Sequence, residues 1–134
     1  MIKTSFKKKI AAKVEKTKTG FSAFAVDYPV FTTGKTISEL NRNLTEALNL
    51  YFEDDGLTVD KKNINLEIDL KQFFQFYRVI NAKFLADRIG MNPTLLSQYV
   101  QGRKKPSAVQ TEKILHGIRE IGRELSDLRL VAQN

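Results

Sequence analysis

The sequence predicts an α+β chain in two parts, a small β-β-β-α-β domain over residues 1–70 and an all-α domain over residues 71–134. Three observations carry this. Residues 6–16 and 64–70 alternate apolar and polar side chains, the period of a half-buried strand. Residues 37–51 place their apolar side chains on one helical stripe. Beyond residue 70 only helical spacing recurs, punctuated by helix starts and stops.

In chain order, Phe6 to Lys16 sets Ile10, Ala12 and Val14 on one face, and Lys7, Lys9, Ala11, Lys13 and Glu15 on the other. Thr17 to Gly20 is a polar turn, and Phe21 to Val26 is a second strand that pairs with the first as a hairpin. This strand carries Phe21, Ala23 and Ala25 on one side and Phe24 and Val26 on the other, so both faces are expected to be covered. Tyr28-Pro29 bends the chain, Val30 to Thr33 forms a third strand and Gly34 breaks it. Thr36 and Glu39 then make an S/T-x-x-E capping box. Ile37, Leu40, Leu44, Ala47, Leu48 and Tyr51 follow as one stripe, a helix laid on the sheet. Glu53 to Gly56 is an acidic loop, and Ile64, Leu66, Ile68 and Leu70 alternate as a fourth strand.

The second part centres on residues 80–107. Asn81 caps a helix carrying Leu85, Ala86 and Ile89, and Gly90 stops it where a left-handed residue costs least. Asn92 is a second cap and Pro93 sits at the first helical position, where its missing N–H is not needed. The second helix turns Leu96 and Tyr99 inward. Its other side holds Thr94, Ser97, Gln98 and Gln101 without an acidic residue, and Gly102, Arg103, Lys104 and Lys105 follow at once. Small Ala86, then Gly90, Leu96 and Tyr99, is the spacing of two helices that cross closely. The alternative is a helical hairpin in an ordinary core, but an uncharged amide face beside a basic run has no packing purpose.

Charge agrees with this placement. The formal net charge is +7. Residues 71–134 hold 11 basic and 5 acidic side chains, net +6, against 11 and 10, net +1, in residues 1–70. A polyanionic partner for the second part is the expectation. The basic first strand is read as a sheet edge on which lysines prevent edge-to-edge pairing.

The run from Ile80 to Ser107 resembles the helix-turn-helix of Xre/Cro-like repressors, with similarity extending over about residues 70–121. The resemblance implies that Pro93 to Gln101 enters the major groove of double-stranded operator DNA. Lys83, Asn92, Thr94, Ser97, Gln98 and Gln101, with Arg103, Lys104 and Lys105, are then the DNA-binding residues. Residues 7–70 resemble the HicB antitoxin family through Gly20, Phe21, Pro29, Thr32, Gly34, Thr36, Asn43, Glu46 and Ala47. The turn here is one residue shorter than usual and lacks the family's Pro-Gly pair. That likeness implies a truncated ribonuclease H-like module that binds and blocks a small HicA-type mRNA endonuclease, with a DNA-binding tail repressing its own operon. It names no toxin-contacting residue. A stand-alone helix-turn-helix regulator with an N-terminal ligand-binding or assembly domain is the alternative.

Enzymatic chemistry finds no footing in the residues. A two-metal nuclease needs carboxylates converging from strand centres, where this chain offers Lys, Ala and Val. Glu53, Asp54, Asp55 and Asp60 miss the spacing of a calcium loop. His116 is the sole histidine and there is no cysteine, so neither a metal-ligand set nor a thiol nucleophile is expected, and no cofactor. No stretch is apolar for long enough to span a membrane, and none reads as a signal peptide, which gives a cytoplasmic expectation. Ser107 caps a last helix in which Ile114, Ile118, Ile121, Leu125 and Leu128 recur at alternating spacings of 4 and 3, a heptad seam. Its outer end, Ile121, Leu125 and Leu128, is expected to join copies of the chain into a dimer or tetramer.

Overall fold

A computed structural model describes residues 3–132. The chain is mixed α+β and divides into two compact units, Met1–Gln72 and Phe73–Asn134.

The first unit opens with β1 (Thr4–Ser5) and β2 (Ile10–Lys16), then β3 (Phe21–Ala25) and β4 (Phe31–Gly34). Helix α1 (Ile37–Tyr51) follows, then β5 (Leu57–Thr58) and β6 (Ile64–Glu67). Four strands form a sheet in the order β4-β3-β2-β6, antiparallel except that β6 runs parallel to β2. Strands β1 and β5 make a separate two-residue parallel pair. A two-residue strand has no period to read, so the sequence carries no trace of that pair.

Alternation decides which face is core. Ile10, Ala12 and Val14 of β2 lie against Phe21, Ala23 and Ala25 of β3. Leu40, Leu44 and Leu48 of α1 cover them and are fully buried. Thr36 starts the helix by accepting the Glu39 N–H at 3.0 Å, the Thr side of the expected box. Asn43 Nδ2 donates to the Thr33 carbonyl at 2.8 Å and ties the helix to β4. Two glycines let backbones touch here. A Cβ on Gly34 would lie 2.5 Å from the Leu40 nitrogen, and one on Gly20 would lie 2.3 Å from the Gly34 carbonyl oxygen.

Three expectations change. The expected cover on both faces of β3 is absent, since Phe24 and Val26 stand 42% and 47% exposed. The lysine-bearing β2 is a central strand paired on both sides, so its lysines guard no edge. The fourth strand stops at Glu67, because Asp69 accepts the Gln72 N–H at 2.8 Å and Leu70 already begins the helix α2 (Leu70–Phe76). The acidic stretch is a 3-10 turn over Glu53–Asp55 closed by left-handed Gly56, φ 67°. Asp60 has a job the sequence did not show: with Asn63 it forms a reciprocal capping box. Asn63 Nδ2 also donates to the Phe6 carbonyl at 2.9 Å.

The unit boundary falls within α2. The second unit continues with α3 (Ala82–Ile89), α4 (Pro93–Val100) and α5 (Ala108–Asp127). Leu85, Ala86, Leu96, Tyr99 and Ile114 are its core. Among the described residues no helix is long and apolar enough to cross a membrane.

Candidate nucleic-acid interface

Local chemistry fixes α3 and α4 in turn. The Asn81 side-chain oxygen accepts from the N–H groups of Lys83 and Phe84 at 2.9 and 3.2 Å, closing the start of α3. Gly90 ends it at φ 69°, a conformation in which a β-carbon is strained. The Met91 N–H returns to the Ala86 carbonyl at 2.9 Å. Asn92 Oδ1 then accepts from Thr94 and Leu95 at 2.8 and 3.3 Å, with Pro93 in the first turn of α4. The oxygen of Asn92 is thereby committed to the cap, and only its NH₂ is left to meet a ligand.

Packing keeps the turn tight. Helix α3 packs on both α4 and α5. Ala86 is fully buried, and at Gly117 a Cβ would stand 2.4 Å from Ile89 Cγ2, so the Ile89 side chain of α3 occupies the space that the missing side chain on α5 leaves. Leu96 and Tyr99 anchor α4 inward. This leaves Thr94 and Gln101 exposed and Ser97 and Gln98 half-buried. Gln101 Nε2 donates to Ser97 Oγ at 3.3 Å, so these two amide-face residues are neighbours.

The basic run is held against the end of α4. Gly102, at φ 76°, turns the chain, and the N–H groups of Arg103 and Lys104 donate to the Gln98 carbonyl at 2.9 and 3.3 Å. Arg103, Lys104 and Lys105 are all exposed there, where the partial negative charge of a helix C-terminus favours cations. Between Asp87 and Glu112 the chain has no acidic residue, while Arg88, Arg103, Lys104 and Lys105 are basic. Lys83, exposed in the first turn of α3, stands on a different helix from the rest.

The expected seam divides at its outer end. Ile114 is buried and Ile118 and Ile121 are half-buried, whereas Leu125 is 62% exposed. Leu128 is not a seam residue: α5 ends at Asp127, and Leu128 caps it in extended backbone. An apolar groove of about 620 Å³ borders this end, lined by Val79, Ile80 and Phe84 together with Ile121 and Leu125. Phe84, 72% exposed, is not among the expected seam residues, although it precedes the Leu85-Ala86 core pair on α3 and so must point elsewhere. Arg88 of α3 and Glu124 of α5 form an exposed ion pair beside the groove.

Among the described residues, no three His, Asp or Glu side chains gather as a metal-ligand set. No family model, no curated protein and no solved structure matches the chain.

Proposed function

We propose that this chain is a HicB-like antitoxin, in which the first unit binds and blocks a small HicA-type mRNA endonuclease and the second represses the operon encoding both. The observation that carries the reading is the surface of α4. A capped helix offers hydroxyls and amides at Thr94, Ser97, Gln98 and Gln101, with three cations fastened to its end and no carboxylate in the segment. Hydroxyls and amides bond base edges in the major groove, and Arg and Lys bond phosphates. On this reading α3 and α4 are a helix-turn-helix, with Lys83 and the Asn92 NH₂ as additional backbone contacts.

The first unit supports the antitoxin half. Its strand order, with β6 returning parallel to β2 after α1, is compatible with the truncated ribonuclease H-like module that the family resemblance implies. Gly20, Gly34, Thr36 and Asn43, four of the residues of the family resemblance, make two close backbone approaches, the helix cap and a helix-to-strand bond. The protein works in the cytoplasm, where operon DNA and mRNA are found, and assembles through the outer end of α5.

On this reading a neighbouring reading frame encodes the toxin as a small basic protein, and co-expression with that protein is the test. The two should co-purify, and the chain should relieve the growth arrest that the neighbour causes alone. A chain that binds its upstream DNA but neither captures nor neutralises the neighbour would instead be a stand-alone regulator.

A further inference from the structure

The first unit's sheet has one face under α1 and one face open, and the open face has an ordered pattern. Register pairs Lys13 with Phe24 and Phe24 with Phe31, making one row across three strands. The next row is Glu15, Ser22 and Thr33. Glu67 is paired with Lys13 on the far side, and Val26 lies just beyond Phe24, its N–H donating to the Ala11 carbonyl at 2.9 Å. Phe24 and Phe31 are 42% and 65% exposed. At 150–250 Å² per aromatic side chain, that is about 200 Å² of ring surface in water.

The geometry points to a second copy of this chain as the occupant of that face. Its charges are of both signs, with Lys13 beside Glu67 in its own row and one row from Glu15. A surface of this kind is complementary to itself. A two-fold axis running across the strands between the two rows sets each Lys13 opposite the partner's Glu15 and lets the Phe24 and Phe31 rings of the two copies meet on the diagonal. Sheets pack face to face at about 10 Å, a gap that a Lys–Glu pair and interleaved rings span. A basic or acidic partner would meet an unmatched charge on either side of Lys13. The patch is small against the roughly 800 Å² per partner of a standard interface, so the contact is weak and concentration-dependent.

This inference takes from the proposed function only the separate association surface at the end of α5. Two distinct two-fold interfaces in one chain carry assembly past two copies, closing as a dimer of dimers where their axes cross at right angles and otherwise extending from copy to copy. Light scattering on the full chain at rising concentration, without toxin or DNA, should climb past two copies. Phe31→Glu, at an exposed edge-strand position, should keep the parent thermal melt and stop at two. Lys13→Glu should also stop at two, as should Glu15→Lys, and mixing these two variants should restore the larger assembly. A Phe31→Glu chain with the parent's mass at every concentration overturns the inference. So does a variant of unchanged mass that loses capture of the neighbouring protein, which would assign the face to that partner. Failure of the antitoxin reading would leave these masses untouched.

Discussion

Asn49 holds both backbone polar groups of Val59. Its Nδ2 donates to the Val59 carbonyl at 2.9 Å, and the Val59 N–H donates to its Oδ1 at 2.6 Å. Val59 is 2% exposed, in the irregular stretch between β5 and β6 that has no ladder to satisfy it. One side chain on α1 therefore does for this segment what a neighbouring strand would do. Asn49→Ala leaves a buried donor and a buried acceptor without partners, and each such group costs about 1 to 3 kcal/mol. Urea unfolding should show a loss of at least that size, and Asn49→Asp, which keeps the acceptor but sets a carboxylate against a carbonyl, should do no better. A change below about 0.5 kcal/mol, within the ordinary scatter for surface substitutions, would mean the clasp is replaceable by water.

Gly34 and Gly122 should respond to alanine with opposite signs. At Gly34 the new Cβ would meet the backbone of Leu40 at 2.5 and 2.7 Å, and backbone cannot rotate away. Overpacking of this kind costs about 1 to 3 kcal/mol or more. At Gly122, inside α5, nothing lies within 4 Å, so alanine gains only helix propensity, about 0.5 to 1 kcal/mol. Chemical denaturation of the two variants should move in opposite directions; a neutral Gly34→Ala would argue that β4 and α1 are less closely joined than the geometry shows.

That contrast marks what the sequence makes legible. Helix α1 is readable because its cap, stripe and length all lie within one local stretch, and the structure returns the expected bounds Ile37–Tyr51. The α3-turn-α4 segment is readable for the same reason: Asn81, Gly90, Asn92 and Pro93 act on neighbours a few residues away. Pairings between distant residues leave no such trace. The parallel match of Ile10 with Ile64 makes β2 central, which turns its lysines from edge guards into occupants of an open face. Phe24 reads as core by composition, and only the absence of a second layer leaves it in water. Leu128 kept the seam's spacing but not its helix, since periodicity does not say where a helix stops.

The proposed DNA contacts separate into two kinds. Gln98→Ala removes a base-reading amide and should weaken operator binding by about 1 to 3 kcal/mol while relaxing preference at one base position. Lys104→Ala should weaken specific and non-specific DNA about equally and reduce the salt slope by roughly one. The Gln98 carbonyl that anchors Arg103 and Lys104 is backbone, so Gln98→Ala leaves the basic run in place and the two effects stay separable. Mobility shifts over a series of salt concentrations measure both; a Gln98→Ala protein with parental affinity and preference would remove α4 from the major groove.

Association through the second unit is the remaining test. One unit of this size covers too few base pairs to be selective, and repressors of the proposed kind bind two half-sites about one DNA turn apart as two-fold dimers. Leu125 lies beside a groove of about 620 Å³ that also takes in Val79 and Phe84, apolar side chains that are exposed in a single copy. Introducing a charge there desolvates it on association, at a cost of several kcal/mol, without touching the core at Leu85, Leu96 and Ile114. Leu125→Glu with Leu128→Glu should therefore keep the helical circular-dichroism spectrum and halve the mass by light scattering. It should also weaken operator binding by more than a single base contact does. Because Leu128 has already left the helix, Leu125→Glu alone should produce most of the effect. Phe84→Glu, across the groove on α3, should reproduce it. Capture of the neighbouring protein should survive in all three, since it is assigned to the first unit. A double variant that keeps its mass and still binds the full operator would leave the open sheet face around Phe24 and Phe31 as the surface that joins the two DNA-binding units.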